Sequence, residues 1–357
     1  MNAKASTSAP RISVAMCTFN GSRYLEEQLE SIAHQSRLPA ELIVCDDQST
    51  DGTLSILKGF KARAPFSVSI IQNSQRLGST PNFDQAIGLT RGEFIALCDQ
   101  DDRWAPHKLE RLSDTLIADS FLGGVFSDAQ LIDGDGRPIG TQLFARHKFT
   151  PAKQRSFIAC PTDTLLKHDI VTGATLMFRA SIRRYCSPIP ASWIHDGWLA
   201  WMIALHARLT LIAEPLIDYR VHASQQLGVE TQTAQASSMR VESRRQFYGR
   251  VARQFEDLLQ RVLAEGWNQN DRLLEKMREK IQFLKTQATL SPSLGLRTLQ
   301  MAAQLPRYAL YARGLGSVRR DLLLGRETSW TTRSAVPISV PSRPPTFPPR
   351  RRHSGQN

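Results

Sequence analysis

Over about the first hundred residues, short apolar runs alternate with segments in which apolar residues recur every three to four positions. Four runs predict β-strands, at residues 12–17, 42–45, 68–72 and 94–98. Helical spacing follows the first three of them, over about residues 22–35, from about residue 51, and over about 81–89. This alternation favours a Rossmann-like α/β fold, in which helices cover both faces of a mostly parallel sheet.

The pattern changes twice after this region. Residues 121–228 mix short strands with a helix predicted over 194–207, and the segment IDGDGR indicates a hairpin turn. Residues 234–325 keep the three-to-four spacing, which predicts a C-terminal helical extension. Residues 331–357 are dominated by Pro, Arg and Ser, and residues 1–10 are small and polar, so both ends are predicted to be disordered.

Charge is distributed unevenly along the chain. The 357 residues carry a formal net charge of +12, and basic residues crowd the C-terminal third and the final tail. Two explanations stay open: the charges lie on solvated helix faces, or they attract the helical part to an anionic membrane surface. Nucleic acid is not an expected partner, because no nucleic-acid-binding motif accompanies the charge.

The cysteines and the N-terminus predict the cellular compartment. Five cysteines are an odd number, and Cys17, Cys45 and Cys98 each end an apolar run, which favours reduced thiols over a disulfide framework. The first eleven residues lack the apolar core of a signal peptide, and no run approaches the ~18 apolar residues that a spanning helix needs. We therefore expect a cytoplasmic protein, peripheral on the inner face of the cell membrane if the basic helices bind lipid.

Polar residues follow three of the four predicted strands at the point where each strand ends. They occupy residues 18–20, 46–47 and 99–102. Parallel sheets bind ligands in the crevice beyond the carboxyl ends of their strands. We therefore expect these three segments to share one binding edge.

The densest of these segments is LCDQDDRW. Its carboxylates Asp99, Asp101 and Asp102 repel one another unless something positive lies between them. A divalent cation bound to a diphosphate meets that need, because Mg²⁺ takes one or two carboxylates and completes its shell with phosphate oxygens and water. The alternative is a helix start near Pro106, whose dipole favours acidic neighbours.

Four segments, in this order and with this spacing, resemble family-2 glycosyltransferases with the GT-A fold. They are VAMCTFNGSRYLEEQLES, VCDDQSTDGT, NSQRLGSTPNFDQAI and RGEFIALCDQDDRW. A later segment, WIHDGWLAWMIALHARLTLIAEPLIDYRVHASQQLG, is closest to the bacterial rhamnosyltransferase-like branch. The resemblance implies a GT-A domain over residues 11–228, with a nucleotide-binding half at 11–120 and an acceptor and catalytic half at 121–228.

The resemblance also implies an activity. It predicts an inverting transfer of sugar from a UDP- or dTDP-linked donor, dTDP-rhamnose among them, to a hydroxyl of a glycan or lipid-linked glycan. Mg²⁺ or Mn²⁺ would assist, and the product would belong to bacterial surface polysaccharide or lipopolysaccharide. The chain lacks the Gln-x-x-Arg-Trp motif of many relatives. That absence argues against a processive polymer synthase.

Carried over position by position, the resemblance implies four kinds of site residue. Nucleotide contacts fall on Thr18, Asn20, Asp46, Asp47 and Asp99, metal ligands on Asp101 and His222, the general base on Asp196, and donor or diphosphate contacts on Asp102, Gly173 and Arg220. Taken from the residues alone, Asp196 also fits an acidic helix start, and His222 fits a structural hydrogen bond. A glycine such as Gly173 also suits an ordinary turn.

Other function classes fit the sequence less well. A nicotinamide-dependent oxidoreductase needs a glycine-rich turn after the first strand, where this chain has CTFNGSRY with one glycine. A nucleotidyltransferase would need a glycine-rich basic loop there. The remaining alternative is a catalytically inactive, membrane-surface adaptor that keeps the transferase fold. It predicts loss of metal or base residues, whereas Asp101 and Asp196 are both present.

Overall fold

The computed structural model describes residues 10–222, 244–267, 271–291, 293–312 and 315–323. The ends predicted to be disordered, 1–10 and 331–357, lie outside the described residues apart from Pro10. The same holds for the last residues of the predicted 121–228 half and for the first ten of the predicted helical extension.

Within the described residues, nine strands form one sheet in the order β3-β2-β1-β4-β8-β6-β9-β5, with β7 paired to β6. The strands are β1 (Ile12–Thr18), β2 (Glu41–Asp46), β3 (Ser67–Gln72), β4 (Phe94–Cys98), β5 (Arg103–Trp104), β6 (Leu122–Ile132), β7 (Pro138–Gln142), β8 (Leu176–Arg179) and β9 (Arg208–Arg220).

Helices fill most of the connections and form the C-terminal part. They are α1 (Leu25–Ala33), α2 (Thr53–Lys61), α3 (Ser79–Leu89), α4 (Lys108–Ala118), α5 (Leu143–Arg146), α6 (Pro151–Ala159), α7 (Pro161–Leu165), α8 (Arg183–Cys186), α9 (His195–His206), α10 (Arg244–Ala264), α11 (Asp271–Ala288), α12 (Leu294–Ala302), α13 (Leu305–Tyr311) and α14 (Leu315–Leu323). Short 3-10 helices cover Gly173–Thr175 and Ala180–Ile182.

The sheet is parallel in its first half and mixed beyond it. β1 pairs in parallel with both β2 and β4, so that Val14 lies between Leu42 and Ala96. β8 then runs antiparallel to β4 and to β6, while β6 and β9 are parallel. The expected parallel sheet therefore describes the part that ends with β4, and β8 joins the two halves.

Alternating side chains of the central strands feed two separate cores. Val14 and Leu42 pack with α1, α2 and α4 on one face of the sheet. Ala15 and Ile43 belong to the core on the other face, which contains buried residues of α3 and α9. Successive strand residues point to opposite faces, and helices on both faces bury each set, as expected of an α/β fold.

The C-terminal helices complete the core on the α3 and α9 face. The ring of Phe255 in α10 makes edge contacts with Trp193 and Trp201, at centroid distances of 6.0 and 5.8 Å. The indole N–H of Trp193 donates to the Gln254 carbonyl at 2.8 Å. The predicted helical extension is present, and it shares one hydrophobic core with the sheet. Among the described helices, none has both the length and the apolar character needed to cross a bilayer.

Asp51 joins the turn after β1 to the start of α2. One carboxylate oxygen accepts the Thr53 N–H at 3.0 Å and the Thr53 hydroxyl at 2.5 Å, and the other accepts the Ser22 N–H at 3.1 Å. Burial raises the pKa of Asp51, but the hydrogen bonds from Thr53 and Ser22 outweigh it and lower the pKa from 3.8 to about 2. The ionised form is therefore favoured in the folded protein.

We expect Asp51→Ala to lower the free energy of unfolding at pH 7 by about 1 kcal/mol, since the carboxylate is solvent-exposed and screened. Because folding depresses the pKa, this stabilisation is complete above pH 3.8 and is lost as the pH falls towards about 2. Denaturant unfolding at pH 7 and pH 2.5 measures both differences. A difference of the same size at both pH values would contradict the ionic explanation. Asp114→Ala, at a surface ion pair with Arg37, serves as the control.

Candidate active site

A cavity of about 450 Å³ lies beyond the carboxyl ends of β1, β2 and β4. It extends to the start of α9 and to the residue that follows the end of β9. Eight of the eleven predicted site residues line it: Thr18, Asn20, Asp47, Asp99, Asp101, Gly173, Asp196 and His222. The other three, Asp46, Asp102 and Arg220, are buried behind its wall.

Asp46 supports the cavity from behind and does not line it. Its carboxylate accepts the Thr18 hydroxyl at 2.8 Å, the Ser49 hydroxyl at 2.6 Å and the Ser49 N–H at 2.9 Å. These hydrogen bonds tie the end of β1 to the loop after β2. The side chain of Asp46 is fully buried and turned into this loop, and its contact with a nucleotide stays a prediction.

Asp47, the next residue, points the other way and organises the loop after β3. Its carboxylate accepts the N–H groups of Leu77 and Gly78 at 2.6 and 2.9 Å. Gly78 has a φ of +82°, a left-handed conformation that favours glycine. In this loop the guanidinium of Arg76 lies over the ring of Phe19, 3.7 Å from its centroid. Asp47 thus helps to fix an arginine and an aromatic ring at the cavity wall.

Gln100 holds the turn after β1 in place. Its side-chain amide accepts the Phe19 N–H at 2.9 Å and donates to the Phe19 carbonyl at 3.1 Å. Gly21 leaves room for this amide, because a Cβ there would lie 2.2 Å from the Gln100 Oε1. Asn20 has a φ of +47°, and its side-chain oxygen accepts the Thr50 N–H at 2.8 Å. Asn20 thus lines the cavity on a turn fixed from two sides.

Asp101 and His222 meet at one end of the cavity. The His222 Nε2 lies 2.8 Å from the Asp101 Oδ2, and both side chains are almost buried, with 11% and 14% exposed. The His222 ring packs against Tyr24 at a centroid distance of 4.9 Å. Carboxylate oxygen and imidazole nitrogen are suitable ligands for divalent ions such as Mn²⁺.

The donor set at this end fits a metal that shares its shell with a ligand. Across the described residues, no cluster of three or more His, Cys, Asp or Glu side chains is arranged to hold an ion. Two protein ligands suit an ion that is completed by phosphate oxygens and water, which is the usual arrangement for Mg²⁺ with nucleotides. The residues present therefore fit a metal that arrives with a diphosphate.

Asp102 does not line the cavity, and its contact with the donor stays a prediction. It is fully buried, and one carboxylate oxygen accepts the Arg220 N–H at 3.0 Å. Burial, followed by the nearby charges of Asp101 and Asp99, raises the pKa of Asp102 well above its usual range. Its hydrogen bond instead connects the acidic loop to the end of β9.

Arg220 also lies behind the cavity wall, and its guanidinium is only 2% exposed. It pairs with Glu27, donates to the Asp101 carbonyl at 2.7 Å, and lies 4.6 Å from the centre of the Tyr24 ring. This arginine therefore braces the Asp101 loop from below, and its contact with a diphosphate stays a prediction. The half-exposed Arg76 and the exposed Arg23 line the cavity, and the sequence analysis assigned neither.

Asp196 enters the cavity from the first turn of α9 and is 4% exposed. Its carboxylate accepts the Gly197 N–H at 2.8 Å and, more weakly, the Gly173 N–H at 3.4 Å. Gly173 allows this approach, since a Cβ there would lie 2.9 Å from the His195 Nε2. The His195 ring stacks on Phe83 with centroids 4.0 Å apart. Asp196 is thus held by backbone groups at the wall of the same cavity as Asp101.

Residues 13–186 match the model of glycosyl transferase family 2. This match spans just under half of the 357-residue chain. A relative of similar sequence is an uncharacterised glycosyltransferase of Nostoc sp., 27% identical over 218 residues that cover 60% of this chain and 66% of the relative. The chain spans only 59% to 66% of the length of this relative and of three mycobacterial relatives.

Two solved structures of glycosyltransferases share the architecture. Residues 1–349 of TarS from S. aureus, in complex with UDP-GlcNAc, align with a TM-score of 0.54 over 88% of this chain and 89% of that one, at 16% identity. The mannosyltransferase PcManGT from Pyrobaculum calidifontis, in complex with GDP-Man and Mn²⁺, aligns with a TM-score of 0.50 over 89% and 81%, at 18% identity. These likenesses establish the GT-A fold of the chain.

Proposed function

We propose that the protein is an inverting, metal-assisted glycosyltransferase that moves a sugar from a nucleoside-diphosphate donor to an acceptor hydroxyl. The observation that carries this proposal is the shared cavity, which Asp101 and His222 line at one end and Asp196 lines from α9. The family 2 match supports the reaction type. Relatives whose structures hold UDP-GlcNAc or GDP-Man with Mn²⁺ support the donor class and the metal.

The proposed mechanism assigns separate tasks to the two ends of the cavity. Asp101 and His222 would hold the divalent ion, which would offset the negative charge that gathers on the leaving diphosphate. Asp196 accepts the proton of the acceptor hydroxyl as that oxygen attacks the sugar. One base and one leaving group give a single displacement, so the anomeric configuration inverts. As in glycoside hydrolysis, the transition state is oxocarbenium-like.

The nucleotide is proposed to occupy the part of the cavity next to the turn after β1. Asn20, Asp47 and Asp99 line this part, and Thr18 is oriented there by Asp46. Arg76 and Phe19 offer a cationic and an aromatic face beside them. UDP or dTDP are the proposed nucleotides and dTDP-rhamnose is one candidate donor. The acceptor would be a glycan or lipid-linked glycan of bacterial surface polysaccharide or lipopolysaccharide.

Calorimetric titration with UDP, dTDP, GDP and ADP, each with and without Mn²⁺ or Mg²⁺, tests the proposal. We expect one of these nucleotides to bind in a metal-dependent way and to identify the donor class. If none binds under any condition, the proposal fails. The alternative of a catalytically inactive adaptor with a transferase fold would then be favoured.

The C-terminal helices present an exposed apolar surface, which we call the leucine surface. Leu294, Leu296 and Leu299 of α12 and Leu305 and Leu310 of α13 are each between 48% and 70% exposed. No acidic residue occurs in the sequence between Glu279 and Asp321, whereas five arginines do. Of these, Arg307 is half-buried, Arg319 is exposed and Arg297 is buried. Exposed apolar side chains with basic neighbours suit the interface of an anionic membrane. We propose that the leucine surface holds the cytoplasmic protein peripherally at that membrane, near a lipid-linked acceptor.

We expect the double variant Leu296→Glu and Leu299→Glu to bind anionic vesicles at least tenfold more weakly than the unmodified protein, because two apolar side chains leave the interface. Flotation with vesicles of phosphatidylglycerol and phosphatidylcholine at low salt measures this. Leu89→Glu, at a leucine of α3 that is 43% exposed, is the matched control. Equal flotation of the double variant and the control would contradict the proposal.

A further inference from the structure

A second cavity, of about 240 Å³, lies between α9 and the C-terminal helices. We call it the helix chamber. Its walls come from α9 and the loop before it, from α10 and α11, and from the end of α13. Thr172 and Ile194 line both the helix chamber and the active-site cavity, so the two spaces are adjacent.

Aromatic side chains make up much of the chamber wall. They include Trp193, Trp201, Phe247, Phe255 and Phe283. Ligand pockets are typically lined by apolar and aromatic groups with a few polar groups that fix orientation. The chamber is smaller than the ~300 Å³ at which most such pockets begin, so it suits one sugar unit better than an oligosaccharide.

Lys280 of α11 is the unusual polar group in this wall. It is 5% exposed, and its ammonium donates to the Tyr311 carbonyl at 2.6 Å and lies 5.4 Å from the centre of the Phe255 ring. No described carboxylate lies within salt-bridge distance of it. By contrast, Lys276 and Lys285 on the same helix pair with Asp163 and Glu256.

A buried ammonium without a carboxylate partner is costly to keep charged. Burial accordingly lowers the pKa of Lys280 to about 7. An anionic ligand in the chamber would supply the missing countercharge and restore the charged form. The lining of the chamber carries more positive than negative charge. Lys167 and Arg250 line it together with Lys280, and Asp169 is the one carboxylate among its described lining residues.

We propose that the helix chamber binds an anionic sugar unit of the acceptor, with the carboxylate or phosphate of that sugar on the Lys280 ammonium and its ring against the aromatic wall. The assignment of this ligand as acceptor rests on the proposed transferase function. Gly197 lines the chamber, and the preceding residue, Asp196, lines the active-site cavity. An acceptor anchored in the chamber would therefore extend past Thr172 and Ile194 to the proposed base.

Tryptophan fluorescence tests binding, because Trp193 and Trp201 line the chamber. The full chain is titrated with methyl glucuronide as the carboxylate probe, glucose 6-phosphate as the phosphate probe, and methyl glucoside as the neutral probe. We expect a saturable change with at least one anionic probe and at least tenfold weaker binding of the neutral one. The probe that binds shows whether the chamber takes a carboxylate or a phosphate.

Two variants test whether the change in tryptophan fluorescence arises from binding in the helix chamber. Lys280→Met should weaken binding of the anionic probe at least tenfold. Lys285→Gln, on the solvent side of the same helix, should leave the binding of this probe unchanged. Equal binding of neutral and anionic probes, or full binding to Lys280→Met, would overturn the proposal. If Lys280→Met does not fold, Arg250→Gln takes its place, and unchanged binding of both anionic probes to it would count against the chamber.

The outcome is distinguishable from failure of the transferase proposal. Nucleotide titration of the same samples should give equal affinities for the unmodified protein and for Lys280→Met, since Lys280 lies outside the active-site cavity. If the anionic sugar binds and no nucleotide does, the chamber stands as a sugar site and the donor proposal fails. If nucleotide binds and no anionic sugar does, the chamber proposal fails alone.

Discussion

Asp196→Asn is expected to lower kcat for sugar transfer by about 10² to 10⁴, the usual contribution of a general base. The amide cannot take a proton at neutral pH, although its size matches the carboxylate. Its oxygen can keep the 2.8 Å hydrogen bond from the Gly197 N–H, while its NH₂ group would face the longer contact with Gly173. The fold and nucleotide binding should therefore survive, because the change is confined to the acceptor end of the cavity.

Steady-state transfer assays and nucleotide titration together measure this separation. Asp84→Asn is a matched control, since Asp84 accepts the Ile189 N–H at 3.2 Å but does not line the cavity. Turnover of Asp196→Asn close to that of the unmodified protein would remove Asp196 as the base. Its carboxylate would then be left with the role of an acidic helix start.

Asp101→Ala is expected to abolish the metal-dependent part of nucleotide binding, with a loss in affinity of at least about 100-fold. The physical reason is that one of two protein ligands disappears, and loss of even a supporting partner of a metal ligand typically costs 10- to 100-fold. His222 alone, 2.8 Å from the removed oxygen, would remain. Transfer should fall with binding, since the leaving diphosphate would lose its counterion.

Calorimetry with the preferred nucleotide, with and without Mn²⁺, checks this prediction. Asp101→Asn keeps the shape and one oxygen and should fall between Asp101→Ala and the unmodified protein. Asp133→Ala, at a hairpin turn away from the cavity wall, controls for a general effect of removing an aspartate. Metal-dependent affinity in Asp101→Ala within about twofold of the unmodified protein would exclude Asp101 as a ligand.

The first half of the fold could be predicted because its information is local. A buried parallel strand appears in the sequence as a short apolar run, and in the helix that follows apolar residues recur every three to four positions. The secondary structure of residues 12–98 can therefore be predicted without reference to the rest of the chain. The pairing of β8 with β4 and β6 is different. In sequence, β8 lies about eighty residues from β4 and about fifty residues from β6. No local pattern indicates which strands will be neighbours in the sheet.

The site shows the same division. Asp46 and Asp47 are adjacent in sequence, so they were assigned together, yet Asp46 is the last residue of β2, and only Asp47, in the loop that follows, lines the cavity. The surroundings of Arg220 could not be predicted because its partner Glu27 lies 193 positions away. A motif identifies a residue type at a strand end, whereas only the tertiary contacts decide whether its charge is turned inward or towards a ligand.

The shared core of α9 and α10 has a consequence for engineering and for the divergence of this family. Phe255 packs on Trp193 and Trp201, so a break between the sheet and the helices would expose aromatic surface on both pieces. Chimeras that graft a new helical part onto this sheet should therefore be cut so that both sides of the aromatic contact come from one parent. A substitution in α10 at this aromatic contact will be retained only if the protein still folds.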